Sequence, residues 1–246
     1  MTPDDLIELF DEAAAAVRAA VGAIGPAARR GRTGRPGQYA LDVAADEAVC
    51  AVLTGAPVTV VSEESGVHER PGAAVTVVVD PVDGSTNCAR GIAYWATSLA
   101  ALDADGVLCA LVVNQATGAR TTAVRGAGAF RDGVRLRAAP TTRIEEAVVG
   151  LGALPDRRLP WKQYRAFACA ALSLVEVAAG GLDAHVDTGH ALAPWDYLGG
   201  YLACVEAGAV VREAAGRPLV TADPAARRRL VAAGTGALAD ALAVIA

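Results

Sequence analysis

Several features are scarce in this sequence of 246 residues, and each scarcity excludes a class of protein. The net charge is −5 and no block is rich in lysine or arginine, which argues against a nucleic-acid-binding face. No apolar stretch reaches the roughly 20 residues of a membrane-spanning helix, and the acids Asp4 and Asp5 stand where a secretory signal needs positive charge. We therefore expect a soluble, cytoplasmic protein that binds neither nucleic acid nor membrane.

Metal and redox chemistry based on cysteine or histidine is also poorly supported. The five cysteines are odd in number, widely spaced and form no CxxC pair: Cys50, Cys88, Cys109, Cys169 and Cys204. Each lies among apolar residues, so we expect buried thiols in a reducing compartment. His185 and His190 are five residues apart, which fits neither a helical pair nor a usual zinc spacing.

Hydrophobic residues make up 53% of the chain, enough for one sizeable core. Thr2 and Pro3 predict the start of a first helix that runs to about Val21. In the first half we expect a second helix at 41–53 and strands at 58–61, 75–79, 97–103 and 107–113, the last two joined at Asp105-Gly106. After Pro140 we expect strands at 147–151, 184–186, 209–212 and 230–233, with helices at 165–179, 194–207 and 236–245.

This order predicts an α/β (α+β) fold, with an α/β second half behind a mixed first half. We expect a single domain over residues 1–246, divided into a mixed α+β half at 1–140 that carries the acidic motifs and an α/β half at 141–246.

The most informative stretch is Asp80-Pro81-Val82-Asp83-Gly84-Ser85-Thr86-Asn87, directly after the apolar run 75–79. Its two carboxylates are hard oxygen ligands of the kind that Mg²⁺ prefers when it binds substrate phosphate. The amides and hydroxyls that follow can hold phosphate oxygens or orient a water molecule. This stretch predicts a magnesium-dependent phosphatase.

Other acids also follow strands or open a helix, where α/β folds place ligand groups: Glu63-Glu64 and Asp196. Taken alone, Asp196 could be a helix cap and Glu63-Glu64 a polar loop. The spacing around Asp80 does not fit an EF-hand, which needs acids at alternate positions. It also differs from the Asp-x-Asp of phosphatases that form an aspartyl-phosphate.

The eight-residue stretch resembles the signature of the inositol monophosphatase family, a group of Mg²⁺-dependent, lithium-sensitive phosphatases. Three further motifs appear in the order expected for that family: Ala44-Ala45-Asp46, Ser62-Glu63-Glu64-Ser65 and Trp195-Asp196-Tyr197-Leu198-Gly199-Gly200. The resemblance covers nearly the whole chain. It implies a layered αβαβα sandwich of the inositol monophosphatase/fructose-1,6-bisphosphatase type.

The resemblance also implies two to three Mg²⁺ ions. Glu63, Asp80 and the Val82 carbonyl would hold the first ion, and Asp80, Asp83 and Asp196 the second. A third, weaker ion would lie near Glu63.

The same resemblance implies roles around the phosphate. Catalysis is expected from Glu64 and Ser85, which would orient a water molecule with support from Asp46. The amides of Gly84 and Ser85 would bind phosphate, and Asp83 and Asp196 would also contact the substrate. Ala170 and Asp187 would contact the rest of the substrate.

The implied activity is phosphomonoester hydrolysis on a small polyol, with inositol-1-phosphate first and homodimers common in the family. Histidinol phosphate, fructose-1,6-bisphosphate and 3′-phosphoadenosine 5′-phosphate are alternatives, as is a non-catalytic regulatory homologue. Two departures bear on this expectation. Ala44 and Ala45 remove hydroxyls beside Asp46, and Phe167 places a bulky ring near the expected substrate pocket.

Overall fold

The computed structural model describes residues 1–189 and 191–245, so His190 and Ala246 lie outside the described residues. The helices are α1 (Pro3–Ala23), α2 (Ala40–Leu53), α3 (Ser85–Arg90), α4 (Ala170–Ala178), α5 (Pro194–Glu206) and α6 (Gly236–Leu242). The strands of the first sheet are β1 (Thr59–Ser62), β2 (Gly66–His68), β3 (Thr76–Asp83), β4 (Ala96–Asp103), β5 (Gly106–Asn114), β6 (Arg120–Val124), β7 (Gly128–Arg131) and β8 (Val134–Arg135). The second sheet contains β9 (Val148–Leu151), β10 (Gln163–Arg165), β11 (Ala184–Val186), β12 (Val210–Glu213) and β13 (Leu230–Ala233).

The first helix begins where the sequence predicts. The Thr2 hydroxyl accepts a hydrogen bond from the Asp5 amide, and the Asp5 carboxylate accepts one from the Thr2 amide. This reciprocal capping box satisfies amides that have no partner within the helix. The apolar face of α1 is buried from Leu6 to Val21.

Strand β3 extends beyond the predicted run 75–79 and carries the acidic motif within it. Asp80 pairs with Ser98 and Asp83 with Ala96 of β4, and the register shifts between these two pairs. Residues three apart face opposite sides of a regular strand, whereas a bulge redirects the side chains that follow it. The irregularity therefore lets both carboxylates reach the same site.

The helix predicted at 165–179 is wrong at its start, because α4 begins only at Ala170. Residues Gln163–Arg165 instead form β10, which pairs in parallel with β9. Ala168 then adopts a φ of +54°, a left-handed conformation that a right-handed helix cannot contain. The end of α4 is as predicted, with Gly180 at φ +71°.

The two sheets and the helices stack as five layers, which confirms the expected αβαβα sandwich. Helices α1 and α2 pack on one face of the first sheet, and α4 and α5 fill the space between the sheets. Helix α6 covers the outer face of the second sheet. Strand β13 shows the alternation: Leu230 and Ala232 face the central helices, whereas Val231 and Ala233 face α6. Within the described ranges, no helix is both long and apolar enough to cross a membrane.

Candidate active site

Four carboxylates from three separate segments face one another at the ends of β1 and β3 and the start of α5. Glu63 follows β1, Asp80 and Asp83 lie in the irregular end of β3, and Asp196 is in the first turn of α5. Asp80 is 1% exposed and Asp83 is 9% exposed. The structure thus brings together the acids that the sequence predicts as metal ligands.

Burial and mutual repulsion make ionisation of these acids unfavourable. Burial raises the pKa of Asp83 to about 6 against hydrogen bonds that lower it, and burial with the charge of Asp83 raises the pKa of Asp196 to about 7. Burial and the charges of Asp196 and Glu64 raise the pKa of Glu63 to about 8. The pKa of Asp80 lies well above its usual value, because this group is buried beside Glu63, Asp83 and Asp196. A cation between the four groups would favour their ionised forms.

Each of three carboxylates also accepts hydrogen bonds from the chain itself. Asp80 Oδ1 accepts from the Val82 amide at 2.9 Å, and Asp196 Oδ2 from the Ala193 amide at 2.6 Å. Asp83 Oδ2 accepts from the Ala171 amide at 2.7 Å and the Cys169 thiol at 3.1 Å. In this arrangement, no three His, Cys, Asp or Glu side chains of residues 1–189 and 191–245 form a group that could hold a metal ion. Cation binding therefore requires some of these side chains to turn.

The chemistry of this donor set nevertheless fits Mg²⁺. All four side chains offer hard carboxylate oxygens, and buried acids of like charge favour a cation nearby. Asp80 and Asp196 each use one oxygen in the hydrogen bonds above, so their second oxygens can point elsewhere. The Val82 carbonyl accepts a hydrogen bond from the Ser85 hydroxyl at 3.0 Å.

Gly84 connects the acidic strand end to helix α3 and requires glycine. It has φ +90°, and a Cβ there would lie 3.2 Å from the Tyr94 carbonyl oxygen and 3.3 Å from that of Ala168. Because Gly84 is the N-cap, the first amides of α3 have no partners within the helix. The turn that the sequence predicts after Asp83 is thus the start of a short helix, with Ser85 as its first residue.

Asp46, the expected support for the water network, faces a different group. Its Oδ1 accepts from the Ser62 hydroxyl, and the Cys50 thiol lies 3.6 Å away. The acid near Ser85 is Asp42, one helical turn earlier, although the Ser85 hydroxyl donates its hydrogen bond to the Val82 carbonyl. Burial raises the pKa of Asp42 to about 6, against smaller opposing contributions from the Tyr39 amide and from Ser85.

The position of Asp42 follows from the capping of α2. Its Oδ2 accepts from the Tyr39 amide at 2.8 Å, so Tyr39 is the N-cap and Asp42 the third helical residue. Asp42 was not predicted, because the resemblance was placed on Ala44-Ala45-Asp46, one helical turn too late. The spacing Tyr39-x-x-Asp42, an acid three residues after an N-cap, was the available signal.

Glu64 lies half-buried at the edge of the acidic cluster and is held by the polar loop before α2. Arg35 Nη1 lies 3.2 Å from Glu64 Oε2, and the Gln38 side-chain amide donates to the same oxygen. Arg35 also donates to the Glu64 backbone carbonyl at 3.1 Å. The loop therefore fixes the orientation of Glu64 through three hydrogen bonds.

A cavity of about 230 Å³ adjoins Asp83 and Asp196. Its walls come mainly from β9, α4 and β11 and include the predicted substrate residues Ala170 and Asp187. The described residues that line it contribute three aspartates but no lysine or arginine. Phe167 is not among them, since its ring stacks on Tyr94 at 4.4 Å between centroids.

Two residues near this cavity were not predicted to take part in the site. The Cys169 thiol, expected only as an apolar buried group, donates to Asp83 as described above. Arg227 had no expected role, yet its guanidinium lies over Trp195 and its positive charge partly opposes the rise in the pKa of Asp196. All five cysteines are buried and unpaired, as predicted.

Comparison with known proteins relates the whole chain to one family. The family model of the inositol monophosphatase family matches residues 9–245. The chain is 33% identical over 231 residues to the fructose-1,6-bisphosphatase/inositol-1-monophosphatase of Archaeoglobus fulgidus, covering 89% of this chain and 88% of that protein. It is 32% identical over 181 residues to the fructose-1,6-bisphosphatase of Pyrococcus furiosus, covering 73% and 71%.

The fold has a close match among solved structures. A hypothetical protein from Pyrococcus horikoshii, described as having similarities for inositol-1 monophosphatase, superposes with a TM-score of 0.85. The match covers 99% of this chain and 97% of that chain at 24% identity, and it therefore shows the fold alone.

Proposed function

The chain belongs to the inositol monophosphatase family, and from that premise we propose that it is a Mg²⁺-dependent phosphatase of small polyol phosphates. The observation that carries this proposal is the convergence of Glu63, Asp80, Asp83 and Asp196 beside a glycine-started helix and an acidic cavity. Such a cluster of buried carboxylates is unfavourable in itself, and a functional role accounts for it.

The cation ligands are assigned from the family pattern and the donor set. Glu63, Asp80 and the Val82 carbonyl would hold one Mg²⁺, and Asp80, Asp83 and Asp196 a second. A third ion would lie near Glu63. Bound divalent cations acidify a water molecule and stabilise negative charge on a phosphate during in-line displacement.

The chain's own groups position the reacting partners. The amides of Gly84 and Ser85 lie at the start of α3, where a phosphate oxygen can accept from them. The Ser85 hydroxyl and Glu64 would orient the attacking water. We assign the support of Ser85 to Asp42 rather than to Asp46, because Asp42 is the acid near that hydroxyl.

The charge of the cavity favours a substrate with a single phosphate and an uncharged remainder. Asp187, the lining aspartate that is not assigned to a cation, would repel a second phosphate, and no lysine or arginine of the described lining residues compensates. Asp187 and Ala170 would contact substrate hydroxyls. We therefore place inositol-1-phosphate before fructose-1,6-bisphosphate, histidinol phosphate and 3′-phosphoadenosine 5′-phosphate.

A phosphate-release assay with these four esters, in Mg²⁺ and in EDTA, tests the proposal. We expect release only with Mg²⁺ and the highest kcat/KM on inositol-1-phosphate. A matched control is Asp103→Asn, which removes an acid paired with Arg125 at 2.7 Å and distant in sequence from the site. A highest rate on the nucleotide would contradict the substrate order, and no release from any ester would favour a non-catalytic regulatory protein.

Two further expectations belong to the same proposal. We propose that the protein acts in the cytoplasm and assembles as a homodimer, as family members commonly do. Light scattering coupled to size-exclusion chromatography measures the mass directly, and a mass near that of one 24.9 kDa chain would contradict the dimer.

A further inference from the structure

A buried imidazole forms part of the cavity wall without a role in the proposed metal chemistry. His185 lines the cavity and is 2% exposed, and neither ring nitrogen has a hydrogen-bond partner among the described residues. An unpaired buried polar group costs free energy, and buried side chains usually avoid it. The position of this imidazole beside the cavity indicates that a bound ligand supplies its hydrogen-bond partner.

The second sheet leaves space for this side chain on the cavity side. Gly150 pairs with His185 across β9 and β11, and a Cβ at Gly150 would come within 2.9 Å of Nδ1. At the next position on the same face, a Cβ at Gly152 would lie 2.8 Å from Asp187 Oδ1. Gly150 in β9 and Gly152 directly after that strand thus make room for His185 in β11 and for Asp187 directly after it, and both of these side chains line the cavity.

The state of the ring fits a hydroxyl group better than a phosphate. Burial lowers the pKa of His185 to about 4, so the imidazole is uncharged near neutral pH. A neutral imidazole offers one N–H donor and one acceptor, which matches the donor and acceptor of an alcohol. Rotation of the ring by 180° exchanges the position of each nitrogen with that of a carbon. This rotation breaks no hydrogen bond to the part of the chain that the structure describes, because neither nitrogen has a partner there.

We propose that His185 is a specificity-determining residue that binds a hydroxyl group of the alcohol released from the phosphate ester. The inference rests on the proposed function for its substrate class. It adds that His185, which lies opposite Gly150, distinguishes phosphate esters whose alcohol carries additional hydroxyl groups from esters whose alcohol carries none.

Steady-state kinetics on two esters tests the selectivity. Because a neutral hydrogen bond contributes modestly, we expect His185→Phe to reduce kcat/KM for inositol-1-phosphate about five- to tenfold, mainly through KM. The same variant should hydrolyse para-nitrophenyl phosphate, whose alcohol carries no additional hydroxyl, at close to the unaltered rate. His185→Asn, which keeps a donor and an acceptor, should recover most of the loss. Equal losses on both esters, or no loss on either, would overturn the inference.

A backbone variant tests the same point without changing His185 itself. Gly150→Ala places a methyl group 2.9 Å from both His185 Nδ1 and Leu182 Cδ1, so the imidazole and the leucine side chain must shift. We expect the same selective loss on inositol-1-phosphate, with thermal unfolding curves used to confirm that each variant is folded. A Gly150→Ala protein that is folded and kinetically unaltered on both esters would contradict the proposed position of the ring.

A binding readout separates this inference from the proposed function. The chain has three histidines, so ¹H–¹⁵N spectra of the imidazoles are simple, and His185→Phe identifies the His185 signals. Free inositol should shift these signals with saturation, whereas inorganic phosphate should not. Unchanged signals at saturating inositol would overturn the inference even in an active phosphatase. A shift in a protein without phosphatase activity would support it while the proposed function failed.

Discussion

Removal of divalent cations should make the stability of this protein fall as pH rises from 6.5 to 8. In the folded chain the pKa of Asp196 is about 7 and that of Glu63 about 8, against 3.8 and 4.5 for ordinary side chains. In this pH range the folded state therefore binds protons that the unfolded state has already lost. Stability decreases with pH wherever the folded state binds more protons, so the sign is fixed.

The magnitude follows from these two groups. One extra proton on the folded state changes the free energy of unfolding by about 1.4 kcal/mol per pH unit. In this interval Glu63 holds its proton for the most part and Asp196 loses most of its own, so these two groups reduce the free energy of unfolding by about 2 kcal/mol between pH 6.5 and 8, and the raised pKa of Asp80 adds to the decrease. For a chain of this length that corresponds to a decrease in Tm of about 4–8 °C.

The measurement starts at pH 6.5 because His185 contributes an opposite change of stability with pH, and most of that change lies below this value. Its pKa is lowered to about 4, so its contribution to stability is present above its ordinary pKa of 6.5 and is lost as pH falls below that value. The acids Asp42 and Asp83, each with a pKa of about 6, are largely ionised above the same limit and add only to the decrease.

Calorimetric melting curves at several pH values in EDTA measure this dependence directly. Mg²⁺ should abolish most of the decrease, since bound cations stabilise the ionised carboxylates. Asp196→Asn should reduce the slope in EDTA because one titrating group is removed. A Tm that is constant or rises from pH 6.5 to 8 in EDTA would refute the argument that burial and mutual repulsion raise the pKa values of these acids.

Four substitutions test other parts of the site. Asp80→Asn should lower Mg²⁺-dependent phosphate release more than about a hundredfold while circular dichroism shows an intact fold, because it removes the carboxylate assigned to both ions. Asp42→Asn should lower kcat about tenfold through Ser85, whereas Asp46→Asn should change kcat little. Gly84→Ala should reduce stability by at least about 1 kcal/mol, measured by urea unfolding, because φ +90° is unfavourable for alanine.

Matched variants define the outcomes that would contradict these expectations. Gly22→Ala lies in α1 with nothing within 4 Å of the added Cβ and should stabilise the protein, so a loss equal to that of Gly84→Ala would contradict the conformational argument. Near-normal activity of Asp80→Asn would count against the metal assignment. A larger loss for Asp46→Asn than for Asp42→Asn would restore the motif alignment that the sequence first indicated.

Local patterns predicted much of the fold because their causes are local. The capping box at Thr2, the helical period of α1 and the Asp105-Gly106 turn between β4 and β5 depend on residues close in sequence. The five-layer arrangement was expected from the resemblance, and the alternating burial of β13 shows its physical basis.

The errors lie where tertiary contacts override local preference. Residues 163–169 include few residue types that interrupt a helix. Even so, the first three of them pair in parallel with β9, and the backbone turns at Ala168. The extension of β3 through Pro81 depends on pairing with β4, which no local pattern reveals. Asp42 and Asp46 lie one helical turn apart in α2. Which of them lies near Ser85 depends on the start of this helix, where Tyr39 is the N-cap.

The acids of the candidate site could be predicted from the sequence, but the residues that surround them could not. Carboxylates at strand ends are visible in a sequence, and Glu63, Asp80, Asp83 and Asp196 do come together. The Cys169 thiol, the Asp42 carboxylate and the His185 imidazole acquire their roles from neighbours distant in sequence. Such roles require the three-dimensional arrangement.

Anomalous diffraction from crystals soaked in Mn²⁺ tests the central claim most directly. We expect anomalous peaks bounded by the oxygens of Glu63, Asp80, Asp83 and Asp196, with the side chains turned toward them and the peaks reduced by excess Mg²⁺. An ordered site without any anomalous peak between these four carboxylates would contradict the account.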